Sequence, residues 1–163
     1  MRVLRGSLWD SGLNNCVRVV PVNLGWKNTR ENVMGRGVAK QAAERYPMLP
    51  SWYGWRCEAM ADTELTRLYR YRDLVLFPVK PLDRLLPHLS WKQTASLELV
   101  ERSTKQLKVF FTGADTVALP LVGCGNGGLN PRDVLPILKE HLQNDRFLLI
   151  LTNTSYKELQ PWL

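Results

Sequence analysis

Two glycine-bearing stretches hold the residues best suited to chemistry. Residues 116–129 read TVALPLVGCGNGGL, a short apolar run ending in Gly123-Cys124-Gly125-Asn126-Gly127-Gly128. A simple turn needs one or two glycines, and here there are four in six positions. Glycine lets a ligand touch the backbone, so such a loop can turn several N–H groups inward as an anion nest. Asn130-Pro131-Arg132-Asp133 follows with the marks of a helix start: a capping Asn, Pro in the first turn, and Asp near the positive end. Strand, glycine loop and helix N-terminus in that order suit a phosphate. Gly35-Arg36-Gly37 is a second glycine loop opening into a helix. Alone it is a weak signal; with the first it reads as a second nest facing the same diphosphate. Cys124, between two glycines, reads as a small packing residue rather than a nucleophile. His88 and His141 are too far from other ligand types to suggest a metal, and neither a metal nor a cofactor is expected.

These loops need elements to hold them. Residues 2–9 read as an opening strand ending at Gly6. Val17–Asn23 reads as a buried strand whose Pro21 suits an edge or an irregular end. A polar loop spans 24–32, and from Val38 the apolar spacing turns helical until Pro47. Residues 50–61 read as a second helix, with Trp52, Tyr53 and Trp55 as core or groove wall. Two strands, 65–71 and 74–79, flank Arg72-Asp73, and residues 80–91 form an irregular loop of the kind that covers sites. The spacing predicts a helix over 94–111, with Leu97, Val100, Leu107 and Phe111 buried, Glu98–Arg102 and Glu101–Lys105 paired outside, and Gly113 as the stop. The strand of 116–122 leads to a helix reaching about Gln143, kinked at Pro136, and FLLILT (147–152) is a last buried strand. Alternating strands and helices with wholly apolar strands argue for a three-layer α/β/α sandwich. The first two strands lack a helix-length link, so the sheet is expected to be mixed.

Composition narrows the rest. A chain of 163 residues is expected to be one domain, 1–163, large enough for a proper core. The formal charge of +7 and isoelectric point near 9.6 favour anionic partners such as nucleic acid or nucleotides. The basic residues are scattered rather than gathered in a tail. Three dispersed cysteines suit neither a disulfide framework nor a zinc site and point to a reducing cytoplasm. No run is long and apolar enough to span a membrane, so no membrane partner is expected.

Taken together, Val22-Asn23, the run Val33-Met34-Gly35-Arg36-Gly37-Val38-Ala39, and residues 119–129 resemble the macrodomain family. Leu76-Phe77-Pro78-Val79-Lys80, followed by the long helix, narrows the resemblance. It is to the branch holding the terminal ADP-ribose glycohydrolase and a bacterial antitoxin that removes ADP-ribose from DNA. The resemblance spans nearly the whole chain. It implies a cleft for ADP-ribose or an ADP-ribosylated macromolecule, with DNA as a possible substrate. Ligand contacts would come from Ser7, Leu8, Asn23, Met34, Gly35, Gly37 and Val38, and from Gly123, Cys124, Gly125, Asn126, Gly127, Gly128 and Leu129. Asn23 would hold the distal ribose. Lys80 would be catalytic, attacking the anomeric carbon; chemistry alone would leave it an ordinary strand-end lysine. Two departures stand out. Ser7 occupies the place of a usual Asp that bonds the adenine amine, and Gly127 stands where the glycohydrolase has an acidic partner. The loop 24–32 is longer than in the antitoxin branch, and its Trp26, Lys27 and Arg30 are expected over the cleft.

Three other functions compete with adduct hydrolysis. One is a phosphatase acting on ADP-ribose 1″-phosphate, and another a non-catalytic module binding ADP-ribose or a related nucleotide signal. The third is a nucleic-acid-binding protein using the aromatics and arginines at 52–56 and 69–72.

Overall fold

A computed structural model describes residues 1–63, 65–111 and 113–163. Six strands, β1 (Arg2–Arg5), β2 (Val17–Asn23), β3 (Tyr69–Tyr71), β4 (Leu74–Lys80), β5 (Val117–Leu119) and β6 (Phe147–Leu151), form one sheet in the order β1-β6-β5-β2-β4-β3. Among the described residues five α-helices flank it: α1 (Gly37–Arg45), α2 (Leu49–Ala61), α3 (Leu97–Phe110), α4 (Pro131–His141) and α5 (Asn153–Leu159). The sheet is mixed, but for a different reason from the one expected. β1 and β2 are separated by β6 and β5, and the antiparallel pair is β3–β4, turning at Arg72-Asp73.

Strand period explains why the strands are apolar throughout. Val17, Val19, Val75, Phe77, Val79, Phe147, Leu149 and Leu151 face one way and pack with Val100, Leu107, Val134 and Leu138 of α3 and α4. Their neighbours Val20, Val22, Leu74 and Leu76 face α1 and α2, meeting Ala42, Leu49, Tyr53 and Met60. Leu148 and Ile150 complete that face against Leu8 and Leu13. Burying a Val or Leu side chain is worth about 1.5–3 kcal/mol, so a sheet covered on both sides needs no polar face.

Several boundaries move for identifiable reasons. The strand expected over 65–71 begins only at Tyr69, because Gln106 of α3 takes the backbone of 66–68: it donates to the Thr66 carbonyl at 2.6 Å and accepts from the Leu68 amide at 3.1 Å. α3 starts late, at Leu97, because Ser96 caps it, accepting from the Leu99 amide at 3.2 Å. Leu97 therefore sits in the exposed first turn and not in the buried stripe, which Leu99, Val100 and Leu107 form. Both expected i,i+4 pairs are present, at 3.2 Å each. Pro21 lies in a central strand, not an edge; the β5 ladder has already ended at Arg18, so no bond to β5 is lost there. Trp55 is exposed, whereas Tyr53 is core. α5 had no counterpart in the sequence reading, although Thr152 caps it, accepting from the Ser155 amide at 3.2 Å.

The parallel strands deliver their C-terminal ends to one edge. β2 ends at Asn23, β4 at Lys80 and β6 at Leu151, and a register shift after Val22 sets Asn23 opposite Lys80. No helix among the described residues is long and apolar enough to cross a membrane.

Candidate active site

At that edge lies a cavity of about 560 Å³. Of the residues expected from sequence, it is lined by Asn23, Gly35, Gly37, Val38, Lys80, Gly123, Cys124, Gly125, Asn126 and Gly127. Ser7, Leu8, Met34, Gly128 and Leu129 do not line it. Ser7 closes a surface turn, its hydroxyl accepting from the Trp9 amide at 3.2 Å and its amide donating to Asp10 Oδ2 at 2.9 Å. Leu8 is core, and its carbonyl accepts from Arg18 Nε at 2.8 Å. Met34 packs among α1 and α2 side chains, Leu129 packs behind the loop, and Gly128, with φ of 76°, turns the chain. Arg36, Trp91, Thr152 and Ser155 line the cavity and escaped the sequence reading as site residues. The capping signal of Thr152 was legible; nothing in sequence joins residue 91 to residue 36.

The two glycine loops meet. A Cβ on Gly37, whose φ is +57°, would come within 3.1 Å of Asn126 Nδ2. α1 opens with Arg36 at its cap position, no side-chain cap and no acid in its first turn. Its leading N–H groups are thus available to an anion. The second loop differs from expectation. The α4 N-terminus is already capped, Asn130 Oδ1 accepting from the Arg132 amide at 2.9 Å, so any anion held there would rely on the loop. Gly125 and Asn126 are exposed, and nothing lies within 4 Å of the Cβ that Gly125 lacks.

Gly127 is buried for a structural reason. Its Cβ would stand 2.3 Å from the Gly123 carbonyl oxygen and 2.8 Å from Ala95 Cβ, and its own carbonyl accepts from the Ala95 amide at 2.8 Å. No acidic side chain fits at this position. The same short segment holds β4, since the Ser96 amide donates to the Val79 carbonyl at 2.9 Å. Ser103 of α3 adds a bond to the Pro78 carbonyl at 2.8 Å. One stretch thus fixes both the glycine loop and the strand end that carries Lys80.

Lys80 is half-buried, and its Nζ donates to the Trp91 carbonyl at 2.7 Å. Burial and the nearby Arg36 guanidinium, in that order, hold its amine below the usual lysine range. Among the residues lining the cavity there is no carboxylate. Cys124 is a poor nucleophile: burial and then Asp133 push its thiol up to about 12. Asn23 is committed to its own loop. Its Nδ2 donates to the Val33 carbonyl, and its Oδ1 accepts from the Gly25 amide, both at 2.9 Å, and from Asn32 at 3.1 Å. One Nδ2 hydrogen remains for a ligand.

The long loop 24–32 folds away from the cavity. The Arg30 carbonyl lies so close to Gly54 that a Cβ there would come within 1.8 Å, which seats the loop on α2. Arg30 then stacks on Trp55 at 4.1 Å and pairs with Glu58 at 3.5 Å, and Trp26 packs with the α2 core. The expected cover by Trp26, Lys27 and Arg30 is absent; none lines the cavity. No group of three or more metal-ligating side chains occurs among the described residues.

No protein-family model matches the chain. A curated relative, DNA ADP-ribosyl glycohydrolase of Thermus aquaticus, is 28% identical over 145 residues, covering 88% of this chain; the chain spans 38% of that relative's length. Among solved structures, the macrodomain of Thermus aquaticus DarG superposes with a TM-score of 0.68 and 25% identity, over 93% of this chain and 97% of that one. The Mycobacterium tuberculosis DarG macrodomain gives 0.64 and 24%, over 91% and 96%. Thermosipho africanus DarTG, solved in complex with ADP-ribose, gives 0.69 and 21%, over 94% of this chain and 42% of that one. The chain has the macrodomain fold.

Proposed function

We propose that residues 1–163 form one ADP-ribose-binding unit that hydrolyses the bond between ADP-ribose and a macromolecule, with Lys80 as nucleophile. The observation that carries this reading is the half-buried Lys80 amine in a cavity that both glycine loops line and whose described lining residues include no carboxylate. The loops would receive the diphosphate on backbone N–H groups at Gly35–Gly37 and Gly125–Gly127. The free amine of Lys80 then attacks the anomeric carbon while the bond from that carbon to the macromolecule breaks. The departing group takes the electron pair and a proton. The nitrogen sheds a proton, the sugar opens to an imine, and water releases ADP-ribose and restores the amine.

DNA is the favoured carrier, because the Thermus aquaticus relative is named for acting on DNA and the chain carries a formal charge of +7. The three cysteines are free, which suits the reducing cytoplasm we assign. The test is to offer the purified protein ADP-ribosylated DNA, ADP-ribosylated protein and ADP-ribose 1″-phosphate. Release of ADP-ribose from DNA supports the reading; consumption of the 1″-phosphate alone replaces it with a phosphatase. Consumption of none, with free ADP-ribose still bound, leaves a binding module.

A further inference from the structure

Trp91 touches Lys80 and Arg36 through different parts of itself. Its carbonyl accepts from Lys80 Nζ at 2.7 Å, and the Arg36 guanidinium stands over its ring, 5.5 Å from the centroid. All three residues line the cavity. Arg36 sits at the mouth of α1 and Trp91 in the 3-10 turn Pro87–Lys92, so the stack bridges the connections that follow β2 and β4. We propose that Arg36 and Trp91 act as one positioning unit for Lys80. The Trp91 carbonyl fixes one amine hydrogen and so restricts where the lone pair points, while its ring keeps a second cation beside the amine. This rests on the reading of Lys80 as the nucleophile.

The surroundings leave little else to do this. Cys124 faces the cavity from the loop after β5 with its thiol protonated, and Asn23 beside Lys80 is uncharged. On the connection after β4, Asp83 spends a carboxylate oxygen on the Leu85 and Leu86 amides, at 3.1 and 3.0 Å. His88 and Lys92 are exposed, with Lys92 Nζ 5.3 Å from the Trp91 centroid. Ser96, the cap of α3, is neutral. A like charge disfavours the protonated amine, and an attacking amine must be unprotonated. A guanidinium suits the task because it remains charged across the working range and stacks flat on an indole.

The test measures Lys80 directly and needs no turnover. Trace acetylation of the whole protein is followed across pH by mass spectrometry, with exposed Lys157 as internal reference. In the parent protein Lys80 is expected to become reactive at lower pH than Lys157. Arg36→Gln should move that onset upward, Trp91→Ala should move it the same way, and Trp91→Phe, which keeps an aromatic face, should stay near the parent. Raising salt should draw the parent toward Arg36→Gln, because Arg36 is exposed and its field is screened. An unmoved onset in Arg36→Gln overturns the proposal. So does an upward move in Arg36→Gln with Trp91→Ala unchanged, since the stack would then be idle. Arg36 is a surface residue, so its variant carries the test even where a Trp91 variant folds poorly. A protein that releases no ADP-ribose from any adduct would sink the hydrolase reading, and the labelling result would still decide this one.

Discussion

In the proposed reaction Lys80, an ordinary residue type, would take its reactivity from its surroundings. From type and position alone it is a strand-end lysine; burial, the Trp91 carbonyl and the Arg36 charge distinguish it. Both causes of its shift favour the free amine. The rate of ADP-ribose release should therefore rise with pH as Lys80 loses its proton and level off below the ordinary lysine range. A pH–rate profile checks this, and a rate that falls as pH rises would contradict it. Linkage has the same sign. The folded state gives up this proton at lower pH than the unfolded chain, so stability should climb as pH passes from the folded value to the ordinary one. Cys124, with its thiol pushed up to about 12, should resist alkylation at neutral pH.

At the scale of elements, the second glycine loop separates two roles that look alike in sequence. Gly125 opens on the cavity, whereas Gly127 is wedged against the Gly123 carbonyl and Ala95. Gly125→Val should leave the melting temperature near the parent's and weaken ADP-ribose binding at least about tenfold, since a hydrogen bond to a charged group is worth roughly 1.5–3 kcal/mol. Gly127→Ala should instead destabilise the fold by about 1–3 kcal/mol through overpacking. Calorimetry and thermal melts on the two variants distinguish the roles; equal melting temperatures would remove the contrast. The glycine loops and the layered fold were legible because backbone freedom and strand period are local properties of sequence. The separation of β1 from β2 by β6 and β5, the fold-back of loop 24–32 onto Gly54 and the bond from Lys80 to residue 91 were not. Each depends on tertiary contacts that no local spacing of residue types encodes, and α2 could receive the loop only because one of its residues has no side chain.

Across the whole molecule, one buried charge ties the sheet to both its flanking layer and its β3–β4 turn. Arg18, buried on β2, bonds the Leu8 carbonyl and Asp73 Oδ2 at 2.8 Å each, and Tyr46 of the α1 cap donates to Asp73 Oδ1 at 2.5 Å. Asp73 is partly open to solvent and Arg18 keeps its bonds to the Leu8 carbonyl and Asn14 Oδ1, so Asp73→Ala should cost about 1–3 kcal/mol in denaturant unfolding, the worth of a hydrogen bond to a charged group. The molecule's net charge belongs to this scale too. Affinity for an ADP-ribosylated DNA strand should fall more steeply with salt than affinity for free ADP-ribose, because only the strand brings a phosphate backbone. In the proposed function one cavity binds through its loops and reacts through Lys80. Its most direct test is Lys80→Ala, assayed in parallel for ADP-ribose release from modified DNA and for binding of free ADP-ribose. Release should be abolished while affinity changes far less than rate; a variant that releases ADP-ribose at the parent rate would rule out Lys80 as the nucleophile.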